Sequence, residues 1–386
     1  MSEKITPTKA FDQYVKDYKE YALYVDRHRT VPEFRDGLKP VQRRILYTAK
    51  FVSNAVENRK SADIIGSTMG KYHPHGDSSI QGALYTMTNW YSTKIPLFVG
   101  QGNFGNTYQN AGAAPRYTEV KLSNFAKECI LDELISFKEV VDWEPTYDNS
   151  RKEPSFLPCK VPLLLINGCA GISVGDKVDV PTHNINEVID ATLTIMKNPR
   201  AKIALIPDHC QGCEIVDTDW ASISNKGYGH YKIRGVIDTE PYSGVEKKYK
   251  GLMTLVIKSC PNQTFLESVV MKIEDMVKKN KIIGIQDMEE QSTKNNMRFV
   301  IVLKPGTDPD YIKNEIYKNT NMSQTARVNL KILDIMDKAN PTKRLSYTGY
   351  LKAWIEFRKI TKLRYYENKL QALMTRLHVV DLCNGV

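Results

Sequence analysis

Long apolar runs are missing from these 386 residues. None approaches the ~18 residues that a membrane-crossing helix needs, which excludes a transmembrane reading. The first thirteen residues, MSEKITPTKAFDQ, lack the apolar centre of a secretory signal. Cysteine is sparse too: seven are scattered without framework spacing, which fits a reduced, cytoplasmic compartment. His209-Cys210-x-x-Cys213 finds no second Cys-x-x-Cys to complete a four-ligand zinc site, so a structural turn is the expectation there. There is no GxxxxGK(S/T) phosphate loop, no HExxH and no GxSxG. Asp and Glu nowhere form the compact cluster that holds catalytic magnesium, so no metal set is expected on this chain. Low-complexity segments and internal repeats are also lacking.

What is present is an ordinary globular composition. With 41% hydrophobic and 25% charged residues, wholesale disorder is excluded, and the length allows two or three domains. Lys+Arg number 54 against 44 Asp+Glu, a net charge of +10. The surplus sits at the ends: residues 1–60 carry 13 basic against 8 acidic side chains, and 341–386 carry 9 against 3. That distribution is compatible with a polyanionic partner without requiring one.

Phe11, Tyr14, Val15, Tyr18, Tyr21, Ala22 and Val25 recur at helical spacing and predict a first helix. Pro40 stands where an N1 proline belongs, opening a helix with Val41, Ile45, Ala49 and Val52 on one face and Gln42, Arg43 and Arg44 on the other. SADIIGSTMGKY and DSSIQGALYTMTNW predict two short helices joined by the turn KYHPHG, the second capped by Asp77. Helix, tight turn and helix is the pattern that can place a second helix in a DNA major groove, although helical hairpins share it.

Gly100-x-Gly102-x-x-Gly105 follows an apolar strand, but no helix opens within the glycines, so a dinucleotide site is not expected. Arg116-Tyr117-Thr118-Glu119 comes next. A tyrosine can act as a covalent nucleophile, and an adjacent arginine can stabilise charge growing on a phosphoryl oxygen. Residues 151–335 read as mixed α/β: LPCKVPLLLING as a strand-like run, HNINEVIDATLTIM as a helix capped by Asn184, GLMTLVIKSCP and MRFVIVLKP as strands, and LESVVMKIEDMVKKNKI as a helix between them. In the HNINEVIDATLTIM helix, Ile185, Val188, Ile189, Leu193, Ile195 and Met196 are the expected apolar positions. From about 345 a long helix runs on. Leu363, Leu370 and Leu377, with Tyr366, Leu373 and Val380, form an a/d seam, either the start of a coiled coil or a helix packed on its own domain.

RTVPEFRDGLKPVQRR at 29–44, KYHPHGD at 71–77, GQGNFG at 100–105, AAPRYTE at 113–119 and LLLINGCAGISVGDKVDVPTHN at 163–184 occur in order. Together they resemble the breakage–reunion subunit of type IIA DNA topoisomerases, in its bacterial gyrase A and topoisomerase IV form. The resemblance implies an α+β multidomain fold: an N-terminal arm at 1–24, a winged-helix DNA-gate domain at 25–150, a tower domain at 151–335 and the beginning of a coiled-coil arm at 336–386. It implies that Tyr117 attacks a DNA phosphodiester to give a 5′-phosphotyrosyl link, with Arg116 stabilising the transition state. Arg29, Lys39, Arg43 and His75 match positions that hold the scissile phosphate or its neighbours, and Asp36 a position that orders them. His73, Arg44 and Ser78 fall on further DNA-facing positions, and Ile172 on the apolar wedge that enters between base pairs and bends the duplex.

The resemblance further implies a two-fold dimer, a B-type partner supplying ATP hydrolysis and magnesium, and a cytoplasmic or nucleoid location, in a bacterium or a phage-infected cell. Some positions depart from the pattern. Gly82 stands where an acidic residue often lies, which argues against drug bridging there, and Pro115 is closer to the eukaryotic version than to the bacterial methionine. The distal dimer-closing globule, a β-pinwheel and a gyrase-type basic box are not recognised, which leaves supercoiling, relaxation and decatenation open. The competing class is a non-catalytic winged-helix protein that bends DNA. A tyrosine recombinase fits less well, since its scattered Arg/His/Arg set before a late tyrosine is missing.

Overall fold

The computed structural model describes residues 10–384 apart from 109–111, 176, 217, 263, 294–295 and 338–340. Residues 1–9 of the expected N-terminal arm lie outside that set. Helix α1 (Ala10–Val25) runs into one π-helical turn, Asp26–Thr30. The aromatic stripe forms as its period predicts, yet Phe11, Tyr14, Tyr18 and Tyr21 are all exposed and only Val25 is buried. Periodicity reports a helix, and not what covers its face.

Helix α2 (Pro40–Phe51) begins at the proline, and the Gln42 side chain accepts the Lys39 N–H at 3.0 Å. It buries Ile45, Leu46 and Ala49. Strand β1 (Arg59–Lys60) leads into α3 (Ser61–Lys71) and, after a tight turn, α4 (Asp77–Thr88). The N-cap of α4 is Gly76; Asp77 is the first helical residue, and its carboxylate accepts the Ser78 N–H at 2.9 Å. The expected cap therefore sits one position too late, though an acid in the first turn still favours the helix dipole. Strands β2 (Phe98–Gln101) and β3 (Glu119–Leu122) complete an antiparallel three-stranded sheet, β1-β3-β2, beside the helices. Helix α5 (Asp132–Ser136) and the hairpin β4 (Trp143–Pro145) with β5 (Lys152–Pro154) follow.

The run at 163–167 is not a strand. It is a short helix, α6 (Leu163–Asn167), with Leu163, Leu164, Leu165 and Ile166 wholly enclosed, and β6 (Cys169–Ile172) starts only after it. An apolar run without period carries no choice between buried strand and buried helix. Gly37, at φ +69°, lets the loop before α2 approach so closely that a Cβ there would lie 2.4 Å from the Leu164 backbone nitrogen.

Strand β7 (Lys177–Val180) pairs with β6, and α7 (Ile185–Lys197) starts at Asn184, whose side chain accepts the Asn186 N–H at 2.9 Å. Val188 and Ile195 are buried as expected, but Leu193 and Met196 are exposed while Ala191 and Thr192 turn inward. Strand β8 (Glu214–Val216), helix α8 (Trp220–Lys226) and β9 (Tyr228–Arg234) precede a separate body: β10 (Ile237–Pro241), β11 (Met253–Ile257), α9 (Leu266–Lys278), β12 (Ile285–Glu290), β13 (Phe299–Leu303) and α10 (Pro309–Asn319). Its sheet, ordered β10-β11-β13-β12, is antiparallel throughout. Phe299, Ile301 and Leu303 face α9 and α10, and Val300 and Val302 face Tyr249 on the other side.

Strand β14 (Ser323–Asn329) returns to the first body, closing the five-stranded order β6-β7-β14-β9-β8. The hairpin β15 (Lys331–Leu333) with β16 (Thr342–Arg344) leads into α11 (Tyr347–Asn384). The start of α11 is core, through Tyr347, Tyr350, Leu351 and Trp354, whereas Leu363, Tyr366, Leu370, Leu373, Leu377 and Val380 are exposed. One hydrophobic core joins α2–α4, the five-stranded sheet and the start of α11. The fold is thus α+β, and among the described residues no helix is long and apolar enough to cross a membrane.

His183, ahead of α7, is fully enclosed, with Nδ1 2.7 Å from the Leu165 carbonyl and Tyr347 edge-on to its ring. Burial lowers its pKa to about 4. Because the unfolded imidazole titrates near 6.5, the unfolded state takes up a proton below that pH that the folded state refuses. Stability is therefore lost as pH falls from about 6.5 towards 4, by about 2 kcal/mol from this residue at pH 5. Thermal unfolding of His183→Asn, which keeps an N–H donor, should show a shallower loss between pH 7 and pH 5 than the parent.

Candidate active site

Tyr117 ends a single 3₁₀ turn, Pro115–Tyr117, set by Pro115 at its start and by Tyr117 N–H donating to the Ala114 carbonyl at 2.9 Å. The next residue fixes the turn. Thr118 is buried; its hydroxyl lies 2.8 Å from Ser61 Oγ and 2.9 Å from the Tyr85 hydroxyl, and Ser61 N–H donates to its carbonyl. Tyr117 itself is 66% exposed. The Arg116 guanidinium lies 4.6 Å from the centre of its ring, where it can meet a phosphate bound beside the phenol.

A second group gathers at the α3–α4 turn. Arg44 grips Glu153 with two hydrogen bonds of 2.7 Å and places its third nitrogen 2.9 Å from His73 Nδ1. A guanidinium can only donate, so Nδ1 accepts and the His73 proton sits on Nε2. Burial, reinforced by Arg44, His75 and Arg29, lowers the His73 pKa to about 3. His75, packed edge-on against His73, is lowered by burial and then by Arg29 and Arg44. His28 is lowered as well, by burial and then Arg27 and Arg44. Neutral imidazoles thus stand among permanent cations, with Arg29 beside them on the π-helical turn.

Arg43 does not join this open surface. It is buried, donating Nε to Asp36 Oδ2 at 2.6 Å and Nη2 to Oδ1 at 3.0 Å, and to the Leu38 carbonyl at 3.1 Å. Asp36 also accepts the Leu38 and Leu157 N–H groups, both at 2.9 Å. The expected phosphate contact is here a buried brace, because the Asp36 carboxylate enters from the preceding loop and draws the side chain inward. Lys39 donates Nζ to the Ala170 carbonyl at 2.6 Å, leaving two further donors. Ile172, at the end of β6, is 82% exposed. Ser78 is exposed in the first turn of α4, with exposed Gly82 one turn on and open space around it.

Glu153 had no signal in the sequence: it meets Arg44 across 109 positions. Among the described residues no group of three or more His, Cys, Asp or Glu could hold a metal ion. His209, next to the Cys-x-x-Cys pair, instead faces the Tyr231 hydroxyl at 3.1 Å.

The family of the A-type subunits of DNA gyrase/topoisomerase IV matches residues 29–385. The chain belongs to that family. It is 34% identical to the A-type subunit of DNA topoisomerase 4 from Synechocystis, over 98% of its own length and 42% of the relative's. It is 38% identical to the A-type subunit of DNA gyrase from Lawsonia intracellularis, over 95% of its length and 44% of the relative's. Against the corresponding gyrase chain of Pseudomonas aeruginosa the figures are 33%, 99% and 41%. The chain spans less than half the length of these relatives.

Within this one A-family chain the two groups stay apart. Ser61, at the start of α3, carries the Tyr117 turn, while His73 and His75 follow its end. A helix of this length is about 16 Å long. Tyr117 and Arg116 therefore stand at one end of α3, and Arg44, His73, His75 and Arg29 at the other.

Proposed function

We propose that this chain is the DNA-cleaving and religating component of an ATP-dependent type IIA topoisomerase. The observation that carries the reading is Tyr117, exposed on a turn anchored by Thr118, with Arg116 over its ring. The phenolic oxygen gives up its proton and attacks a backbone phosphorus, the Tyr117–phosphate bond forms, and the bond to the 3′-oxygen breaks, that oxygen taking up a proton to leave as a 3′-hydroxyl. One phosphodiester replaces another, so religation is the reverse step and needs no energy input. Arg116 stabilises charge on the non-bridging oxygens. Arg29, Lys39 and His75 hold the phosphate and its neighbours, with Arg44, His73 and Ser78 as further DNA contacts and Asp36 with Arg43 holding the loop that presents them. Ile172 is the intercalating wedge.

The separation along α3 supports a two-fold dimer, in which a second copy supplies the basic group facing each tyrosine. Residues 25–150 would be the winged-helix domain, 151–335 the tower and 336–386 the beginning of the coiled-coil arm. Glu153 and Asp36 are each engaged by an arginine, so no magnesium is assigned to this chain and no step is routed through one. Magnesium and ATP fit a B-type partner in a heterotetramer, acting on double-stranded DNA in the cytoplasm or nucleoid. The test is to add a B-type partner, magnesium and DNA, quench with detergent, and look for a covalent adduct that requires Tyr117. DNA bending without any adduct would favour the architectural alternative.

A further inference from the structure

The hairpin that carries Ile172 is the edge of the five-stranded sheet. Among the described residues β6 pairs only with β7, and β7 meets β14 at Asp179 and through the Asn329 side chain on the Lys177 carbonyl, so the tip beyond depends on side-chain ties. Here it is tied down from one side by the segment that presents Arg29. The Thr30 hydroxyl donates to the Ile172 carbonyl at 3.1 Å. Ser173 Oγ donates to one oxygen of the Asp26 carboxylate, whose other oxygen accepts Lys331 Nζ at 2.8 Å. Lys39 Nζ holds Ala170 from the start of α2. Gly171 makes the close approach feasible: a Cβ there would lie 3.0 Å from Lys39 Nζ, from the Thr30 methyl and from the Thr30 carbonyl oxygen. Asp26 and Thr30 are themselves buried, so their polar groups serve the hairpin and not a ligand.

We propose that Asp26 and Thr30 are positioning residues that hold the Ile172 wedge in fixed relation to Arg29, so that bending of a duplex and presentation of the arginine to its phosphate occur as one rigid event. The inference rests on the wedge reading of Ile172 given above. Prising a base step open resists the wedge, and an unbraced hairpin would yield to that load. With the brace, the load passes through Asp26 to Lys331 on β15 and through Lys39 to α2, and it reaches Arg29 one residue from Thr30.

The test uses the full chain with a B-type partner and a short duplex carrying a fluorescent donor and acceptor at its ends. Energy transfer reads the bend, and detergent-trapped adduct reads cleavage. Thr30→Val keeps the shape and removes the donor, Ser173→Ala removes the second tie, and Thr30→Ser restores the first. Thr30→Val and Ser173→Ala should each bind the duplex within about twofold of the parent, show straighter DNA, and lose roughly threefold to tenfold in adduct, the worth of one hydrogen bond. Thr30→Ser should recover both bend and adduct, and unchanged melting temperatures would show that the fold is kept. The proposal is overturned if Thr30→Val and Ser173→Ala keep the parental bend and adduct while Ile172→Ala straightens the DNA. If Ile172→Ala leaves the bend intact, the wedge reading itself fails and takes the proposal with it.

Discussion

Tyr117→Phe is expected to abolish the covalent adduct, a loss of at least about 10⁴-fold in cleavage, because the proposed chemistry has the phenolic oxygen as its nucleophile and the substitution removes it. The fold should not register the change. The ring is exposed, and the turn is held by Thr118, Ser61 and Tyr85, so the stability effect should stay within about 0.5 kcal/mol. Duplex binding measured by gel shift should likewise be retained, since the basic group around Arg29 and Arg44 is untouched. Adduct yield and binding are thus expected to separate completely. Arg116→Ala should lie between, with the adduct formed slowly and not abolished, because in the proposed chemistry the guanidinium stabilises charge but forms no bond.

Asp36→Ala should have the largest effect on stability. It leaves the Arg43 guanidinium buried without its carboxylate and deprives two backbone N–H groups, of Leu38 and Leu157, of their acceptor. Breaking a buried pair from one side costs about 3–5 kcal/mol. For a chain of 386 residues that lowers the melting temperature by roughly 4–6 °C. Asp36→Leu with Arg43→Met should cost less than Asp36→Ala alone, because no charge is stranded. Recovery should be incomplete, since the two N–H groups remain unpaired. Calorimetry on the three proteins decides this. A melting temperature for Asp36→Ala within about 2 °C of the parent would contradict the brace assigned to Arg43.

The sequence was most informative where a local rule acts alone. Pro40 opens α2 and Asn184 caps α7 as read, since both signals involve neighbours a few residues apart. The 163–167 run failed because four successive apolar residues satisfy either a buried strand or a buried helix. The pairing of β9 with β14 joins residues from Arg234 and Ser323 to Tyr228 and Asn329, about 90 to 100 positions apart, which no local pattern encodes. The site divides the same way. Tyr117 and Arg116 could be picked out as candidates because the glycine-rich loop and the AAPRYTE block mark them, and both lie on one exposed turn. Arg43 was misplaced because helical spacing puts it beside Arg44 on the outer face, and only the arrival of Asp36 turns it inward. Glu153, Asp26 and Lys331 meet their partners across more than a hundred residues and left no trace in the local text.

The central claim is the chemistry at Tyr117, and strand polarity tests it most directly. One strand of a duplex containing the cleavage site is labelled at its 5′ end in one sample and at its 3′ end in another. The adduct is trapped with detergent in the presence of a B-type partner and magnesium, then digested and mapped. A 5′-phosphotyrosyl link predicts that the 3′-end label stays with the protein, that the 5′-end label is released on a fragment with a free 3′-hydroxyl, and that the modified peptide contains Tyr117. Retention of the 5′-end label, or a modified peptide lacking Tyr117, would contradict it.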